Sequence, residues 1–383
     1  EDNKRDAFVN VKFHDSYRAN MPYPNGIYDL HMGTTDPELE CSTCQQKKKL
    51  CMGHPGVVDL KYPVQNPLYL KEIQKWLKII CFNCGKPLLE DDVLDSISTK
   101  RKDKILREYV SRVGTNIKNR TCAHCENIHP HITKIKTDNI SLWMELYDQS
   151  GGKSRLVSHT RLYPHQIKEI LRKVSRETCL RLGKPLICHP SKFILDSIRA
   201  PPNPIRPDIK KLGGGRSNNN DVTVLLQNIV KVNEKFPEEL PAEISNDLDN
   251  DIKLLEMHVY EMIKGSSGTQ KQSLTNNSKK PLTSIAKRLP RKHGRIRRNL
   301  MGRRANHMAR SFITCDPSLR ISEIGLPMSI ARNLQMPVHV RDYNYKECEI
   351  YFMNGTERYP GCTQIKKKTT GSFHYIDKVA KDF

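Results

Sequence analysis

Residues 41–54 read Cys-Ser-Thr-Cys-Gln-Gln-Lys-Lys-Lys-Leu-Cys-Met-Gly-His, a C-x2-C-x6-C-x2-H pattern, and Cys81-Phe-Asn-Cys84 is answered further along by Cys122-Ala-His-Cys125. Two intervening residues let a tight turn aim both side chains at one ion, and zinc takes four soft or borderline ligands at the corners of a tetrahedron. The spacing therefore predicts two zinc ions, one held by Cys41, Cys44, Cys51 and His54, the other by Cys81, Cys84, Cys122 and Cys125. His124 and His129 lie close enough to the second set to substitute in it or to support it from behind. The remaining cysteines, Cys179, Cys188, Cys315, Cys348 and Cys362, are scattered and read as free thiols, which implies a reducing compartment.

Working outward, Leu70, Ile73, Leu77 and Ile80 recur at helical spacing across 67–80 and predict a helix between the two metal sites. That helix matters, because the order CCCH then CCCC also occurs in RING-type ubiquitin ligases. A RING interleaves its sites and keeps its fourth and fifth ligands close, whereas here 26 residues separate His54 from Cys81. Two sequential sites fit better than a cross-brace. Inside the second site, Ile105, Tyr109, Val110 and Val113 predict a helical finger over 100–113. Further helices are expected over 163–182, stopped by Gly183, over 191–198, from a cap at Asp221, and over 247–263. The proline-rich stretch 200–207 is expected to be extended, and 210–220 and 265–277 to be loops. The fold class is α+β, in several zinc-stapled modules.

With 383 residues, 64 Lys plus Arg and 42 Asp plus Glu, the chain carries a formal net charge of +22 and is too long for one compact core. It has no run of ~20 apolar residues and no signal-peptide core at its start, so neither membrane insertion nor secretion is a first reading. It begins with Glu1, which suits a piece of something longer. The charge is unevenly placed. Between Met262 and Cys315, 54 residues hold 14 Lys or Arg and no acid, while Glu234 to Glu261 holds nine acids and two lysines. The run KRLPRKHGRIRRNLMGRRANHMAR, 287–310, is thus aimed at a polyanion. Its guanidinium forks match phosphate oxygens without reading bases, and the interleaved Ile296, Leu300, Met301 and Met308 suggest a segment packed on a core. A free-standing zinc protein that binds nucleic acid is one reading of these features. No phosphate loop, H-E-x-x-H or G-x-S-x-G motif is present. Asp247, Asp249 and Asp251 alternate at a predicted helix start, where dipole effects alone attract acids.

Together these stretches resemble the amino-terminal part of the largest subunit of multisubunit DNA-directed RNA polymerases. MGTTDPELECSTCQQKKKLCMGHPGVVDL (32–60) with CFNCGKPLL (81–89) is similar to the clamp zinc region of that family. RLPRKHGRIRRNLMGRRANHMARSFITCDPSLRISEIGLPMSIA (288–331) is similar to its switch segment, and IRP (205–207) and YPG (359–361) follow the expected order. GIYDLHMGTTD and YPGC resemble the enzymes of large nucleocytoplasmic DNA viruses. The resemblance implies a clamp, with core 1–90, head 91–200, core return 201–315 bearing lid, rudder and switch, and the start of an active-site or dock region over 316–383. It implies that 210–220 is the lid and 265–280 the rudder, and that Lys292, Arg295, Arg297, Arg298, Arg303, Arg304 and Arg310 hold template DNA. Arg298 stands where the family usually has glycine, and Asn306 and His307 replace an acidic-aromatic pair. The signature NADFDGD is absent, so no catalytic residue is expected on this chain, and Mg2+ belongs to the full polymerase rather than to these residues. Implied partners are template DNA, the RNA–DNA hybrid, the remainder of the largest subunit, the second-largest subunit and smaller subunits, with no membrane. The implied setting is intracellular: virion and cytoplasmic virus factory if viral, otherwise the nucleus.

Overall fold

In the computed structural model the described residues are all but 1–5, 19–20, 93–95, 97–101, 114–119, 135–139, 149–154, 186–188, 209–218, 239–240, 242–243, 266–281, 369–370 and 377–383. The chain divides into two compact units, Glu1–Arg297 and Arg298–Phe383. The lid residues up to 218 and the rudder beyond Gly265 lie outside the described residues.

The first unit is built from β1 (Gly56–Gln65), α1 (Leu70–Ile79), α2 (Lys102–Val113), β2 (His131–Lys134), β3 (Leu142–Asp148), β4 (Arg155–Leu162), α3 (Pro164–Arg172), α4 (Arg176–Arg181), β5 (Ile194–Ala200), α5 (Asp221–Lys235) and α6 (Asn246–Ile263). It holds two main apolar cores. One gathers α1, α2, α3 and α4 around the inner face of the antiparallel sheet β2-β3-β4, with Trp76, Leu77, Tyr109, Leu142 and Leu171 at its centre. The other packs α5 and α6 against β1 and β5 through Val58, Tyr62, Leu226, Ile229 and Leu255. The antiparallel pair β1-β5 contributes to both, since Ile194 lies in the first core and Val58 and Ile198 in the second.

Pro63 interrupts that ladder, because proline has no N–H to give. The register shifts between Asp59 and Val64. Asn233 of α5 fills the gap, accepting from the Lys61 N–H and donating to the Asp59 carbonyl, both at 2.9 Å. One side chain thus satisfies two backbone groups that the strand itself leaves open.

Four expectations are corrected, the last in part. The helix expected over 163–182 is two helices, α3 and α4, because Ser175 takes an extended backbone and its hydroxyl accepts from the Thr178 N–H at 3.1 Å, restarting the helix rather than continuing it. The helix expected over 191–198 is a 3-10 turn, Pro190–Phe193, followed by β5; its apolar spacing also satisfies a strand, and pairing with β1 decides the matter. Asn220, not Asp221, caps α5, accepting from the Val222 N–H. The proline-rich stretch is extended in part and makes a 3-10 turn at Asn203–Ile205.

The second unit carries α7 (Met328–Asn333), α8 (Tyr345–Asn354) and the antiparallel pair β6 (Gln364–Lys366) and β7 (Phe373–Tyr375). Among its described residues Ile376 is the one buried apolar side chain, while Phe312, Ile313 and Ile321 are fully exposed.

Candidate metal centres and the basic segment

The three C-x2-C turns are built alike. The N–H of Cys41, Cys81 and Cys122 donates to the carbonyl of Gln46, Lys86 and Asn127, at 3.1, 2.9 and 3.0 Å. The N–H of Gln45, Gly85 and Glu126 donates back to the carbonyl of Cys41, Cys81 and Cys122, at 2.8, 3.0 and 2.9 Å. Closing so tight a loop drives the residue after the second cysteine into the left-handed region, with φ of 55°, 70° and 57° at Gln45, Gly85 and Glu126. Only the middle turn uses glycine, so Gln45 and Glu126 carry a strain of about 1–2 kcal/mol each that the surrounding turn must hold in place. Strain repeated at matching positions is the mark of a functional constraint on where the thiols point.

The fourth arm, Cys51-Met52-Gly53-His54, turns at Gly53 with φ of 87°, and a Cβ there would lie 2.7 Å from Pro202. The proline-rich stretch is therefore pressed against the first site. Asn203 fixes it by donating to the carbonyls of Asp29 and Gly33 at 2.9 and 2.7 Å. Arg206, with no exposed surface, donates to Pro201 at 2.9 Å, to Asn203 at 2.7 Å and to the Ile27 carbonyl, with its guanidinium 5.2 Å from the Tyr28 ring centroid. Burial lowers its pKa to about 10, so it stays charged at neutral pH. Sequence reasoning placed no structural weight on Asn203 and Arg206. The IRP motif signalled Arg206 alone, and Asn203 stood only within the proline-rich stretch.

The structure brings Cys41, Cys44, Cys51 and His54 into one group and Cys81, Cys84, Cys122 and Cys125 into another, the ligand atoms of each lying within 4.8 Å of one another. Neither His124 nor His129 joins the second group. His129 bonds the Leu77 carbonyl at 2.9 Å and lays its ring edge against Phe82.

Both groups fit zinc. At a Zn–S length near 2.3 Å a tetrahedron has edges of about 3.8 Å; Cys81 and Cys125 are 3.5 Å apart at sulfur, Cys84 and Cys122 3.8 Å. A disulfide would need about 2.05 Å. His54 has a buried Nε2 with no hydrogen-bond partner among the described residues, as an imidazole nitrogen reserved for an ion would. The thiols agree. Burial pushes Cys51 up to about 11 and Cys81 up to about 12, while the Asn127 N–H draws Cys125 down to about 7. Burial also opposes ionisation of Cys41, but the N–H groups of Cys44 and Thr43 outweigh it and its pKa is lowered. With Cys51 raised in one group and Cys81 in the other, the thiols of neither group can all be thiolates at neutral pH unless a cation sits among them.

The basic residues singled out from the sequence divide between the units. Lys292, Arg295 and Arg297 end the first; Arg298, Arg303, Arg304 and Arg310 begin the second. All seven are exposed, and apart from Arg295 none has an ion pair or hydrogen bond among the described residues. The interleaved apolar side chains do not pack on a core as expected: Leu300, Met301 and Met308 are 79%, 79% and 72% exposed. The segment is irregular apart from a π-helical turn at Ile296–Leu300, so its apolar positions never align on one face. Just before it, Gly294 permits a turn in which a Cβ would lie 2.1 Å from the Leu289 carbonyl. Arg288, outside the predicted set, is bound into the fold through Asn220 at 2.8 Å. Of the alternating acids, Asp249 pairs with Arg161 and Lys253, and Asp251 with Lys235. Among the described residues no helix is long and apolar enough to cross a membrane.

The family described as RNA polymerase Rpb1, domain 1 matches residues 1–300, and RNA polymerase Rpb1, domain 2 matches residues 302–382. The chain is 33% identical over 396 residues to the DNA-directed RNA polymerase RPB1 homolog of African swine fever virus, covering 100% of this chain and 26% of that protein. It is 29% identical over 373 residues to the DNA-directed RNA polymerase subunit Rpo1N of Methanothermobacter thermautotrophicus, covering 95% of this chain and 41% of that one. A DNA-directed RNA polymerase II subunit RPB1 from Euplotoides octocarinatus is 29% identical over 369 residues, with 94% and 77% covered. The chain thus spans about a quarter of the length of the viral relative it matches.

Proposed function

The chain belongs to the RNA polymerase Rpb1 family, the largest subunits of DNA-directed RNA polymerases, and from that premise we propose that it is the clamp part of such a subunit. In this reading 1–90 is clamp core, 91–200 head, 201–315 the returning core with lid, rudder and switch, and 316–383 the start of the active-site or dock region. The two cysteine groups hold zinc as staples. Zinc there forms no bond with substrate; it fixes the turns that join α1 and the proline-rich stretch to the rest of the unit. The clamp closes over DNA and the RNA–DNA hybrid, while nucleotidyl transfer, with its Mg2+, is carried by other parts of the polymerase. Partners are the remainder of the subunit, the second-largest subunit and smaller subunits, in a reducing intracellular setting: virion and cytoplasmic virus factory for a viral enzyme, otherwise the nucleus. The family match along the whole chain sets aside the free-standing zinc protein and the RING-type ligase.

The observation that carries the nucleic-acid role is the run of exposed basic residues in which Arg297, Arg298, Arg303, Arg304 and Arg310 have no ion pair among the described residues. Each phosphate neutralised adds about 0.7 to 0.9 to the slope of log affinity against log salt. In the assembled enzyme on a nucleic-acid scaffold, Arg303→Ala and Arg310→Ala should each weaken binding on unrelated templates and flatten the slope by about one unit. Lys134→Ala, outside the run, is the control. Equal slopes for control and variants would defeat the assignment, and so would a loss that depends on template sequence.

A further inference from the structure

The loop between Cys44 and Cys51 carries Lys47, Lys48 and Lys49 in succession and then Leu50, and Met52 follows Cys51. Leu50 is 72% exposed and Met52 91%. The three lysines are exposed, and their ammonium groups have no ion pair or hydrogen bond among the described residues. The loop is nonetheless stiff. The N–H groups of Leu50 and Cys51 both donate to the Lys47 carbonyl, at 2.9 and 3.0 Å, Lys47 bridges Glu40 through the backbone, and both ends are ligands of the first metal group.

Two large apolar side chains held in water on a rigid loop leave about 1.5–3 kcal/mol each for a partner to recover. A phosphate backbone would take the lysines but offers little to a leucine and a thioether. Surfaces that bind single strands stack bases on aromatic rings, and residues 45–53 contain none. Protein interfaces instead place apolar anchors, methionine among them, at the centre of the contact and charge at its rim.

We propose that this knuckle docks on another polypeptide of the assembled polymerase, with Leu50 and Met52 entering an apolar pocket rimmed by Asp and Glu side chains that pair with Lys47, Lys48 and Lys49. The inference rests on membership in a multisubunit enzyme and not on the switch arginines, so an unchanged salt slope for Arg303→Ala would leave it standing.

Lysine acylation by an N-hydroxysuccinimide acetate, read by mass spectrometry, tests it on the full chain alone, on the assembled polymerase, and on that polymerase with a DNA–RNA scaffold. Assembly without nucleic acid should slow acylation of Lys47–Lys49 severalfold, the scaffold should add nothing, and a zero-length carbodiimide should link these lysines to carboxylates of another chain. Assembled enzyme carrying Leu50→Ser with Met52→Ser should keep two zinc ions per chain and lose the protection. Undiminished reactivity on assembly overturns the proposal. So does protection that appears only with the scaffold, which would assign the knuckle to nucleic acid, or protection without a cross-link to another chain. Protection that survives the double substitution removes the apolar anchors and with them the docking mode.

Discussion

A Cβ added to Gly85 would lie 2.5 Å from the carbonyl oxygen of Lys173. The second metal group is therefore seated directly on the end of α3, at the point where that helix stops and α4 begins, and the Lys173 ammonium returns the contact by donating to the Phe82 carbonyl at 2.9 Å. Gly85 also has φ of 70°, so an alanine there meets both a clash and a disfavoured backbone. Gly85→Ala should cost about 1–3 kcal/mol and weaken the second zinc selectively. Competition with a chromophoric chelator would register one ion released early and one held as before; both ions held as before would mean that the knuckle tolerates the shift.

Zinc should be present at two ions per chain, and Cys84→Ser should leave one. Structural zinc contributes an apparent 10–16 kcal/mol, roughly, in small peptides at neutral pH, more than most whole domains have to spare. Stripping it should unfold the core around α1 and α2, visible as lost helical circular dichroism. The pH dependence has a definite sign. Cys51 and Cys81, with pKa values raised to about 11 and about 12, are protonated without metal at neutral pH and must release protons to bind it. Zinc affinity should thus fall as pH is lowered from 7.5 to 6. Affinity independent of pH over that range would be inconsistent with thiolate ligation.

How much of this was legible in the sequence follows from which forces are local. The ligand sets needed only spacing, since a C-x2-C turn is closed by its own backbone, α1 needed only the period of its apolar face, and the start of α6 was marked by its acids. β1 was not foreseen, because Pro63 argues against a strand; it is tolerated through Asn233, which lies 172 positions beyond Lys61 and out of reach of local pattern. The break between α3 and α4 escaped for the same reason: the helical period runs through it, and Ser175 and the packing of Gly85 on Lys173 decide against continuity. In the second unit the apolar positions of 298–331 carry no period at all, so neither a core face nor the orientation of the arginines could be read.

Arg206 is the residue that joins the first metal group to the second core. Its donors reach the carbonyls of Ile27 and Pro201, the Asn203 side chain and, at 3.4 Å, the Thr223 hydroxyl on α5. Arg206→Met keeps much of the volume but leaves those buried acceptors short of donors, at a cost of about 1–3 kcal/mol for each that stays dry. Arg206→Lys should rescue little, because an ammonium cannot fork to three directions in the guanidinium plane. Denaturant midpoints should fall for both variants; a lysine variant as stable as the parent would show that charge alone suffices.

Arg161, at the end of β4, is held between two carboxylates of α6, Asp249 and Glu256, each at 2.6 Å. Its side chain is 5% exposed and that of Glu256 2%, so the pair ties the sheet β2-β3-β4 to α6 where water cannot compete. Removing one member of a buried pair leaves the other in a poor solvent, and Arg161→Met should cost about 3 kcal/mol. The acid side of the pH profile carries the same information. Burial opposes the charge of Asp249, but Lys253 and Arg161 outweigh it and the pKa is lowered from its ordinary 3.8. A carboxyl group with a depressed folded-state pKa stabilises fully above its ordinary value and loses that contribution as pH falls through the depressed one. Asp249→Asn should therefore be less stable than the parent at pH 7 and lose less as pH falls below the ordinary 3.8, through the depressed value at which the parent's carboxylate takes up its proton. Urea titrations at pH 7, 4 and 3 would read both limbs; parallel losses in parent and variant would mean that Asp249 is not among the groups whose protonation drives acid unfolding.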